Sequence, residues 1–297
     1  MKKLFLVLAA FAAVAVVSCK KDDQNAVDTT GGVSVGAENL VAYFPLDSKT
    51  AVVTKGEGVS FAELGGKGEF AAKGARGGCY NNSSANHDTQ AYLKLNVPKD
   101  FLKKLTSFTV GAWVNTSTNR GGIVTFDGGT DANWGAWDLF FDGGSETATT
   151  LKGYLFNNGT EWGGFYPTYN GAEVALNKWI YLTYTYDEAT SYANLYVNGV
   201  LVGPKDENGK VLGTNLCWAG PADEAGNQAK LGKLNLSEVS SLYIGAFATR
   251  ETGMSSESWL SYFAGKIDEV RIFNKGLNEQ EVKALFQAEV KAADNIE

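Results

Sequence analysis

The chain has 297 residues, of which 44% are hydrophobic and 20% charged, so it can bury a core and is not disordered in bulk. Glycine is frequent, at 35 residues, and proline scarce, at 5, which is typical of many strands joined by glycine turns. The formal net charge is −7, and removal of residues 1–18 leaves 24 basic against 33 acidic residues, or −9, which argues against a nucleic-acid partner.

The first 19 residues have the order of a bacterial lipoprotein signal. Lys2 and Lys3 precede an apolar run, residues 4–17, that is too short for a comfortable membrane span. The run ends at Cys19 in a pattern that resembles a lipobox, whose cysteine is acylated. The alternative is an ordinary signal peptide with an incidental cysteine.

We therefore expect a signal peptide over 1–18, lipidation of Cys19 and a flexible tether over 19–37, which is rich in Asp, Thr, Gly and Ser. The lysines and aspartates that follow Cys19 resemble the surface-export tag of some Gram-negative lipoproteins. The expected location is the outer membrane or cell surface of such a bacterium, with the lipid as the only contact with the membrane.

Alternating segments predict strands along the body of the chain. Residues 107–115 and 179–187 place apolar and polar side chains on opposite faces with a period of two. Asn198-Gly199 lies between two such runs and predicts a type I′ hairpin. Further strands are expected at 122–126, 137–141, 151–156, 241–247 and 265–273. Many short strands without intervening helices favour one two-sheet sandwich.

A short helix is expected to close this domain. Asn278 is a good N-cap, with Glu281 at the capping-box position. Apolar residues then recur at helical spacing and predict a face that lies across one sheet, namely Val282, Leu285, Phe286 and Val290. The predicted domain spans 38–290, with a tail over 291–297. Cys79 and Cys217 could form a disulfide in an oxidising compartment or remain as two buried thiols.

Six motifs in one order resemble the LamG-like, concanavalin A-like lectin/glucanase superfamily. They run from VAYFPLD at 41–47 through FTVGAWV at 108–114, the strand that follows Trp179, LYVNG at 195–199 and LYIG at 242–245 to FAGKIDEVRIFNKGL at 263–277. The resemblance implies an all-β fold, a concanavalin A-like jelly-roll sandwich of two antiparallel sheets, one convex and one concave, with the short C-terminal helix. It does not choose between binders and hydrolases, because the fold hosts both.

The resemblance also implies one structural Ca²⁺. The family ligands are backbone oxygens near the first strand, where Asp47 lies, and an aspartate on the last strand, which Asp268 matches. Hard oxygen ligands suit this ion. The alternative is that Asp268 bonds a neighbouring loop and no ion binds.

The sequence contains few of the residue patterns that catalytic sites need. A zinc site that uses several histidines is impossible, because His87 is the only histidine in the chain. Hydrolases of this fold place carboxylates along one strand. The nearest approach here is Asp138 and Asp142, whose Cα atoms would lie roughly 13–14 Å apart, given the rise of a strand. Retaining chemistry needs carboxyls about 5–5.5 Å apart, so we expect no enzyme.

Large aromatic residues in polar loops suggest binding. Several tryptophans lie in or beside loops rich in Gly and Asn, namely Trp134, Trp137, Trp162, Trp218 and Trp259. We expect Trp134, Trp162 and Trp218 to stack on sugar rings, with Asn133, Asn157 and Asp138 as hydroxyl partners. The alternative is that the rings cap the ends of the core.

The sequence thus predicts a non-catalytic, lipid-anchored carbohydrate-binding protein of the cell envelope, with a polysaccharide or other glycan as its partner. The second hypothesis is a protein-binding or adhesion module, or a structural component of an outer-membrane assembly. The third is a glycoside hydrolase that uses Asp138 or Asp142.

Overall fold

The computed structural model describes residues 29–129, 133–145, 147–156, 167–203, 207–208 and 216–297. Over these residues the chain forms two antiparallel sheets that face each other, so the predicted jelly-roll sandwich is confirmed. The strands of the eight-stranded sheet are β1 (Leu40–Phe44), β3 (Gly68–Ala71), β4 (Cys79–Asn82), β6 (Phe108–Thr116), β11 (Ile180–Asp187), β12 (Tyr192–Val197), β13 (Val200–Val202) and β15 (Gly265–Phe273).

The seven-stranded sheet contains β2 (Ser60–Gly66), β5 (Ala91–Asn96), β7 (Arg120–Phe126), β8 (Trp137–Ser145), β9 (Ala148–Leu155), β10 (Thr168–Gly171) and β14 (Ser241–Ile244). Its order is β10-β9-β8-β7-β14-β5-β2, so β7 is the central strand. In the eight-stranded sheet the order is β13-β12-β11-β6-β15-β4-β3, and β1 also pairs with β15. The helices among the described residues are α1 (Lys99–Leu102), α2 (Ala248–Glu251) and α3 (Glu279–Ala292).

Period-two alternation sends one face of each long strand into the core between the sheets. Phe108, Val110, Ala112 and Val114 of β6 lie in this core beside the matching residues of β11, as predicted. Asn198 and Gly199 have positive φ values of 50° and 73° and join β12 to β13 in the predicted hairpin. Cys79 and Cys217 are both buried and free, so the chain has no disulfide between them.

Helix α3 packs on the outer face of the eight-stranded sheet. Asn278 and Glu281 form the predicted capping box, and Val282 and Leu285 are buried against that face. Val290 is 38% exposed, so its predicted place on the packed face is wrong. Glu289 is buried in that region instead, because its carboxylate pairs with a buried arginine.

That arginine, Arg271 of β15, is the centre of a buried charge network. Its guanidinium contacts Glu289, lies 3.0 Å from Glu269 and donates to the carbonyl oxygen of Thr30 at 2.7 Å. Tyr43 donates its hydroxyl to Glu269 at 2.8 Å. The network therefore ties the start of the described chain, β15 and α3 to one face of the sheet.

Packing and hydrogen bonds extend beyond residues 38–290 at both ends of the described chain. Val33 is buried and the Thr30 carbonyl is bound by Arg271, so the described residues before β1 contact the domain. At the other end the backbone N–H groups of Asp294 and Asn295 donate to Ala75, so part of the predicted tail is held as well. Among the described residues, the helices are all too short or too polar to span a membrane.

A long connection follows β14. The strand predicted over 241–247 ends at Ile244, because Gly245 has a φ of +86° and turns the chain onto the outer face of the seven-stranded sheet. Residues 245–263, which we call the strap, cross that face and return to β15. The strap carries α2, and it buries Phe247, Leu260 and Tyr262 against the sheet.

Candidate functional site

Strands β8 and β9 present side chains to the outer face of the seven-stranded sheet. In β8, Trp137, Leu139 and Phe141 point into the core, while Asp138 and Phe140 point outward. Tyr154 of β9 is directly opposite Asp138 in the ladder. The alternation therefore builds a patch of aromatic and acidic side chains on this face.

Six aromatic residues gather there and form what we call the aromatic cluster: Trp134, Phe140, Tyr154, Phe156, Phe247 and Trp259. Trp134 lies at its centre, with ring centroids 4.3 Å from Tyr154, 5.4 Å from Phe140 and 5.2 Å from Trp259. The turn before β8 contributes Trp134, and the strap contributes Phe247 and Trp259. The cluster is thus assembled from three distant parts of the sequence.

Most of this cluster is covered, but two indoles reach solvent. Phe140, Tyr154, Phe156 and Phe247 are buried, whereas Trp134 is half-buried and Trp259 is 37% exposed. The strap residues beside Trp259 are exposed and polar, namely Ser256, Glu257 and Ser258. The surface therefore offers a flat aromatic group next to hydrogen-bonding groups, a combination that suits a ligand with one apolar and one polar side.

Asp138 lies beneath the turn that carries Trp134. Its side chain is completely buried, and one carboxylate oxygen accepts a 2.8 Å hydrogen bond from the backbone N–H of Gly135. The other oxygen has no hydrogen-bond partner among the described residues. Burial raises the pKa of Asp138 to about 8, and the Gly135 N–H lowers it by a smaller amount. The protonated form of the carboxyl is therefore favoured at pH 7.

The remaining predicted ligand contacts do not form one surface. Asn133 joins the strap, because its side-chain oxygen accepts from Ser255 at 2.7 Å and its carbonyl accepts from Thr249 at 2.9 Å. Trp218 lies elsewhere, on a hairpin where it forms a β-bridge with Lys230; Leu216, two residues earlier, forms a β-bridge with Tyr192 of β12. Trp162, Asn157 and Cys19 lie outside the described residues.

The two aspartates considered for hydrolysis share the outer face of β8 but have different surroundings. Asp142 is exposed at the surface and forms an ion pair with Lys152, whereas Asp138 is buried beneath the turn. Arg120 of β7 is directly opposite Asp142 in the ladder, and Lys152 of β9 is opposite Phe140, two residues before Asp142. A ligand could reach the Asp138 carboxyl only if the turn at 133–136 moved.

The two predicted metal ligands meet at one loop, residues 74–78. Asp268 is buried and accepts backbone hydrogen bonds from Arg76 at 3.0 Å and Glu269 at 2.9 Å. Asp47 accepts from the backbone N–H of Gly78 at 2.6 Å. A Cβ at Gly74 would lie 2.4 Å from an Asp268 oxygen, and one at Gly77 would lie 2.4 Å from an Asp47 oxygen. The loop fits closely around both carboxylates because these positions lack side chains.

The charges of this loop region fit a bound cation. Burial, and then the neighbouring Glu269, raise the pKa of Asp268, with Asp47 adding to the same effect. Among the described residues, neither aspartate forms an ion pair with a lysine or arginine. The part of the chain that the structure describes contains no group of three or more His, Cys, Asp or Glu side chains that could hold a metal. Backbone oxygens would therefore have to supply part of the coordination.

Two depressions among the described residues lie away from the aromatic cluster. One of about 550 Å³ lies on the outer face of the eight-stranded sheet, between Thr185, Asn194 and Tyr196 on its floor and Lys275–Glu279 beside the start of α3. Another of about 670 Å³ is bordered by charged side chains, including Glu57, Lys103 and Lys104. The first is also lined by Tyr192, but the described residues place more aromatic rings, in mutual contact, in the aromatic cluster, which is therefore the better candidate for a shallow binding surface.

Sequence reasoning identified part of this site. Trp134 is a predicted ligand contact, and Trp259 is a predicted loop aromatic, but their proximity is a result of the fold. Trp137, another predicted loop aromatic, is buried in the core, where it packs edge-on to Phe108. The strap was predicted neither as an element nor as a source of site residues. The signal that could have indicated it is the long interval between two predicted strands, with Trp259, Leu260 and Tyr262 inside it.

Comparisons with known proteins agree with this fold. A family model described as the concanavalin A-like lectin/glucanases superfamily matches residues 87–240, which are 154 of the 297 residues. A search of curated protein sequences finds no match. Among solved structures, the binding domain of botulinum neurotoxin serotype G superposes with a TM-score of 0.51 at 16% identity, over 84% of this chain and 51% of that chain.

Two other solved structures are similar at the same level of identity. The binding domain of botulinum neurotoxin DC, in complex with rat synaptotagmin II, has a TM-score of 0.51 at 14% identity, over 86% of this chain and 52% of that one. Domain 4 of AbnA, a GH43 extracellular arabinanase from Geobacillus stearothermophilus, in complex with arabinotriose, has a TM-score of 0.45 at 17% identity, over 83% and 98%. The chain spans about half the length of the neurotoxin binding domains, and these likenesses show the fold alone.

Proposed function

The chain belongs to the concanavalin A-like lectin/glucanase superfamily, and from that premise we propose that it is a non-catalytic, lipid-anchored carbohydrate-binding protein of the cell envelope. The observation that carries this proposal is the aromatic cluster, in which Trp134 and Trp259 reach solvent on the outer face of the seven-stranded sheet. A sugar ring has an apolar face of C–H groups and an edge of hydroxyls. An exposed indole matches the first, and neighbouring polar groups match the second.

The arrangement of the exposed groups supports this assignment. Trp259 presents 37% of its surface, and Ser256, Glu257 and Ser258 lie directly beside it in the strap. Trp134 extends the aromatic surface, because the centroids of the two indoles are 5.2 Å apart. One aromatic contact contributes about 0.5–1.5 kcal/mol beyond plain burial, so a surface of this size should bind weakly.

A binding role rather than hydrolysis is supported by the two aspartates of β8. Asp138 is buried beneath the turn at 133–136, and Asp142 is exposed and paired with Lys152. They lie four residues apart on one strand, so their Cα atoms are separated by roughly 13 Å, and the Asp142 carboxylate is paired with Lys152 and not with Asp138. We therefore assign neither residue a catalytic role.

Anchoring at the cell surface is compatible with the position of the described N-terminus. Thr30 is held on the outer face of the eight-stranded sheet through Arg271, whereas the aromatic cluster lies on the outer face of the other sheet. In a protein lipidated at Cys19, the tether would therefore join the domain on the side opposite the aromatic cluster. Such an attachment leaves that face available to extracellular polymers.

One structural Ca²⁺ is part of the same proposal. Asp268 and Asp47 would hold it, together with backbone oxygens near the loop at 74–78. Bound there, the ion would neutralise two carboxylates and fasten the loop to β15 and to the segment after β1. Its role would be stability, since the site lies at the eight-stranded sheet and the aromatic cluster lies on the other one.

Affinity electrophoresis tests the proposed binding. The purified full-length protein would be run through gels that contain xylan, dextran, laminarin, linear arabinan or hyaluronan, with bovine serum albumin as the unretarded control. Retardation by one or more of these polymers is the expected result. Migration like albumin in all five gels would overturn the proposal and favour the protein-binding or structural alternative. Release of reducing sugar would favour the hydrolase.

A further inference from the structure

Helix α3 leaves part of the outer face of the eight-stranded sheet open. Val282 and Leu285 of this helix form one apolar cluster with Trp113 and Tyr181, so the helix covers that part of the face. Farther toward the turn between β11 and β12, the face carries the depression of about 550 Å³. A volume of this size lies within the ~300–1,000 Å³ that is typical of small-molecule sites.

Strand β12 supplies much of the floor of this depression by alternation. Ala193 and Leu195 point into the core, so Tyr192, Asn194 and Tyr196 point outward and line the depression. The amide of Asn194 therefore lies between two aromatic side chains in a row on one face of the strand.

Two of these three side chains have no partner within the described part of the chain. Tyr196 is buried, and its hydroxyl is hydrogen-bonded to Thr185. Tyr192 and Asn194 are half-buried, and among the described residues neither side chain forms a hydrogen bond or a ring contact. The Asn194 amide has both donor and acceptor groups, which water or a ligand can satisfy. Both side chains can therefore contact a bound molecule without breaking an interaction described in the fold.

The walls of the depression are fixed by hydrogen bonds. On the side of α3, the backbone N–H of Leu277 donates to the Thr109 hydroxyl at 2.9 Å, and that hydroxyl donates to the carbonyl of Lys275 at 2.7 Å. At the turn between β11 and β12, the N–H and the hydroxyl of Thr190 both donate to one oxygen of Asp187 at 2.9 Å. The depression is thus formed before a ligand binds, which lowers the entropic cost of binding.

The charges around the depression favour a ligand without an acidic group. Asp187 and Glu279 line it, and the lysine of the lining, Lys275, is paired with Glu281. The two carboxylates can accept hydrogen bonds from hydroxyl groups, but they repel an anion such as a uronic acid or a phosphate.

These groups together fit a sugar unit. The Tyr192 ring offers a flat surface to the apolar face of a sugar, and Asn194 can donate to one hydroxyl and accept from another. We propose that this depression is a second carbohydrate site, which takes an uncharged sugar unit on the face of the sandwich opposite the aromatic cluster. The second site rests on the proposed carbohydrate-binding function for its class of ligand, and it uses none of the residues of the aromatic cluster.

Affinity gels with matched variants test the second site. The full-length wild type, Asn194→Ala and Asn81→Ala would be run through gels that contain dextran, laminarin or linear arabinan, which are uncharged, or hyaluronan, which is acidic. Asn81 is the matched control, because it is a half-buried asparagine on the outer face of β4, outside the depression, where its amide donates to Glu69 at 2.9 Å. We expect Asn194→Ala to weaken binding about 2- to 13-fold in at least one uncharged gel, and Asn81→Ala to migrate like the wild type.

Melting temperatures accompany the gels, and Tyr192→Ala takes the place of Asn194→Ala if that variant is less stable than the wild type. Equal retardation of the wild type and the depression variant in each uncharged gel, or a loss confined to hyaluronan, would overturn the second site. Trp259→Ala, run alongside, separates this outcome from failure of the proposed function. A loss with Trp259→Ala alone keeps carbohydrate binding and removes the second site, whereas a wild type that no gel retards removes both.

Discussion

The indole of Trp134 lies on the ring of Tyr154, with centroids 4.3 Å apart and planes 14° from parallel. Tyr154 is opposite Asp138 in the β8–β9 ladder, so the stack and the buried carboxyl share one face of the sheet. One face of Trp134 is thereby occupied, and Trp259 packs at an angle of 51° beside it. Trp259 therefore provides most of the free aromatic surface, while Trp134 fixes its position.

The raised pKa of Asp138 predicts a dependence of stability on pH. The folded carboxyl keeps its proton up to about pH 8, whereas in the unfolded chain it ionises near pH 3.9. Between these values the folded state holds more protons, so the free energy of unfolding falls as pH rises, by at most about 1.4 kcal/mol per pH unit. Asparagine at this position cannot ionise and should remove that part of the slope.

Urea denaturation of the wild type and Asp138→Asn at pH 5, 7 and 8.5 measures this difference. We expect the variant to gain stability relative to the wild type as pH increases. Asp142→Asn is the matched control, since Asp142 is exposed on the same strand and should follow the wild-type slope. Parallel curves for the wild type and Asp138→Asn would show that Asp138 is not the buried acid described here.

The buried charge network predicts a large loss of stability on Arg271→Met. The substitution leaves Glu269 and Glu289 buried without their guanidinium partner, which typically costs about 3–5 kcal/mol. Glu289→Gln keeps the shape and provides a milder test if the first variant does not fold. Glu57→Gln disrupts an exposed pair with Lys104 at 3.8 Å and should change stability by less than about 0.5 kcal/mol. Equal effects in denaturant midpoints would contradict the structural role of the network.

Calcium at Asp47 and Asp268 predicts a chelator-sensitive melting temperature. One ion present at 100 times its dissociation constant adds about 2.7 kcal/mol, which is a few degrees for a domain of this size. Chelation should therefore lower the melting temperature of the wild type, and Asp268→Asn should abolish that response. Asp100→Asn, an exposed residue of α1, should retain it. A wild-type melting curve that chelator does not move would disprove the site.

Lipidation of Cys19 predicts the distribution of the protein in cells. Cys19→Ser should abolish labelling with fatty acid and release the protein into the soluble fraction. Cys79→Ala should change neither property, because that thiol is buried in the domain. Membrane partition and labelling of the Cys19→Ser protein would show that the lipobox interpretation is wrong.

The parts of the fold that sequence predicts well are those set by local patterns. The alternation in β6 and β11, the Asn198-Gly199 hairpin and the Asn278 cap depend on neighbouring residues and were all confirmed. Val290 fits the helical period but lies at the surface. The neighbouring Glu289 is buried in its place, because its carboxylate pairs with the buried Arg271.

The candidate site was only partly predictable because it is assembled from distant segments. Trp134 and Trp259 are 125 positions apart, and only the course of the strap over Gly121 and Gly122 brings them together. The burial of Asp138 likewise depends on the turn at Gly135, which the pattern of β8 does not encode. Composition identified loop aromatics as candidates, and topology determined which of them share a surface.

Matched tryptophan variants in one affinity gel test the central claim most directly. Trp259→Ala removes the exposed indole of the aromatic cluster, and Trp218→Ala removes a half-buried indole on a separate hairpin. In the gel whose polysaccharide retards the wild type most, we expect Trp259→Ala to weaken binding about 2- to 13-fold, with a melting temperature near that of the wild type. Trp218→Ala should be retarded like the wild type. Undiminished retardation of Trp259→Ala, or loss of retardation with Trp218→Ala alone, would contradict the proposed binding surface.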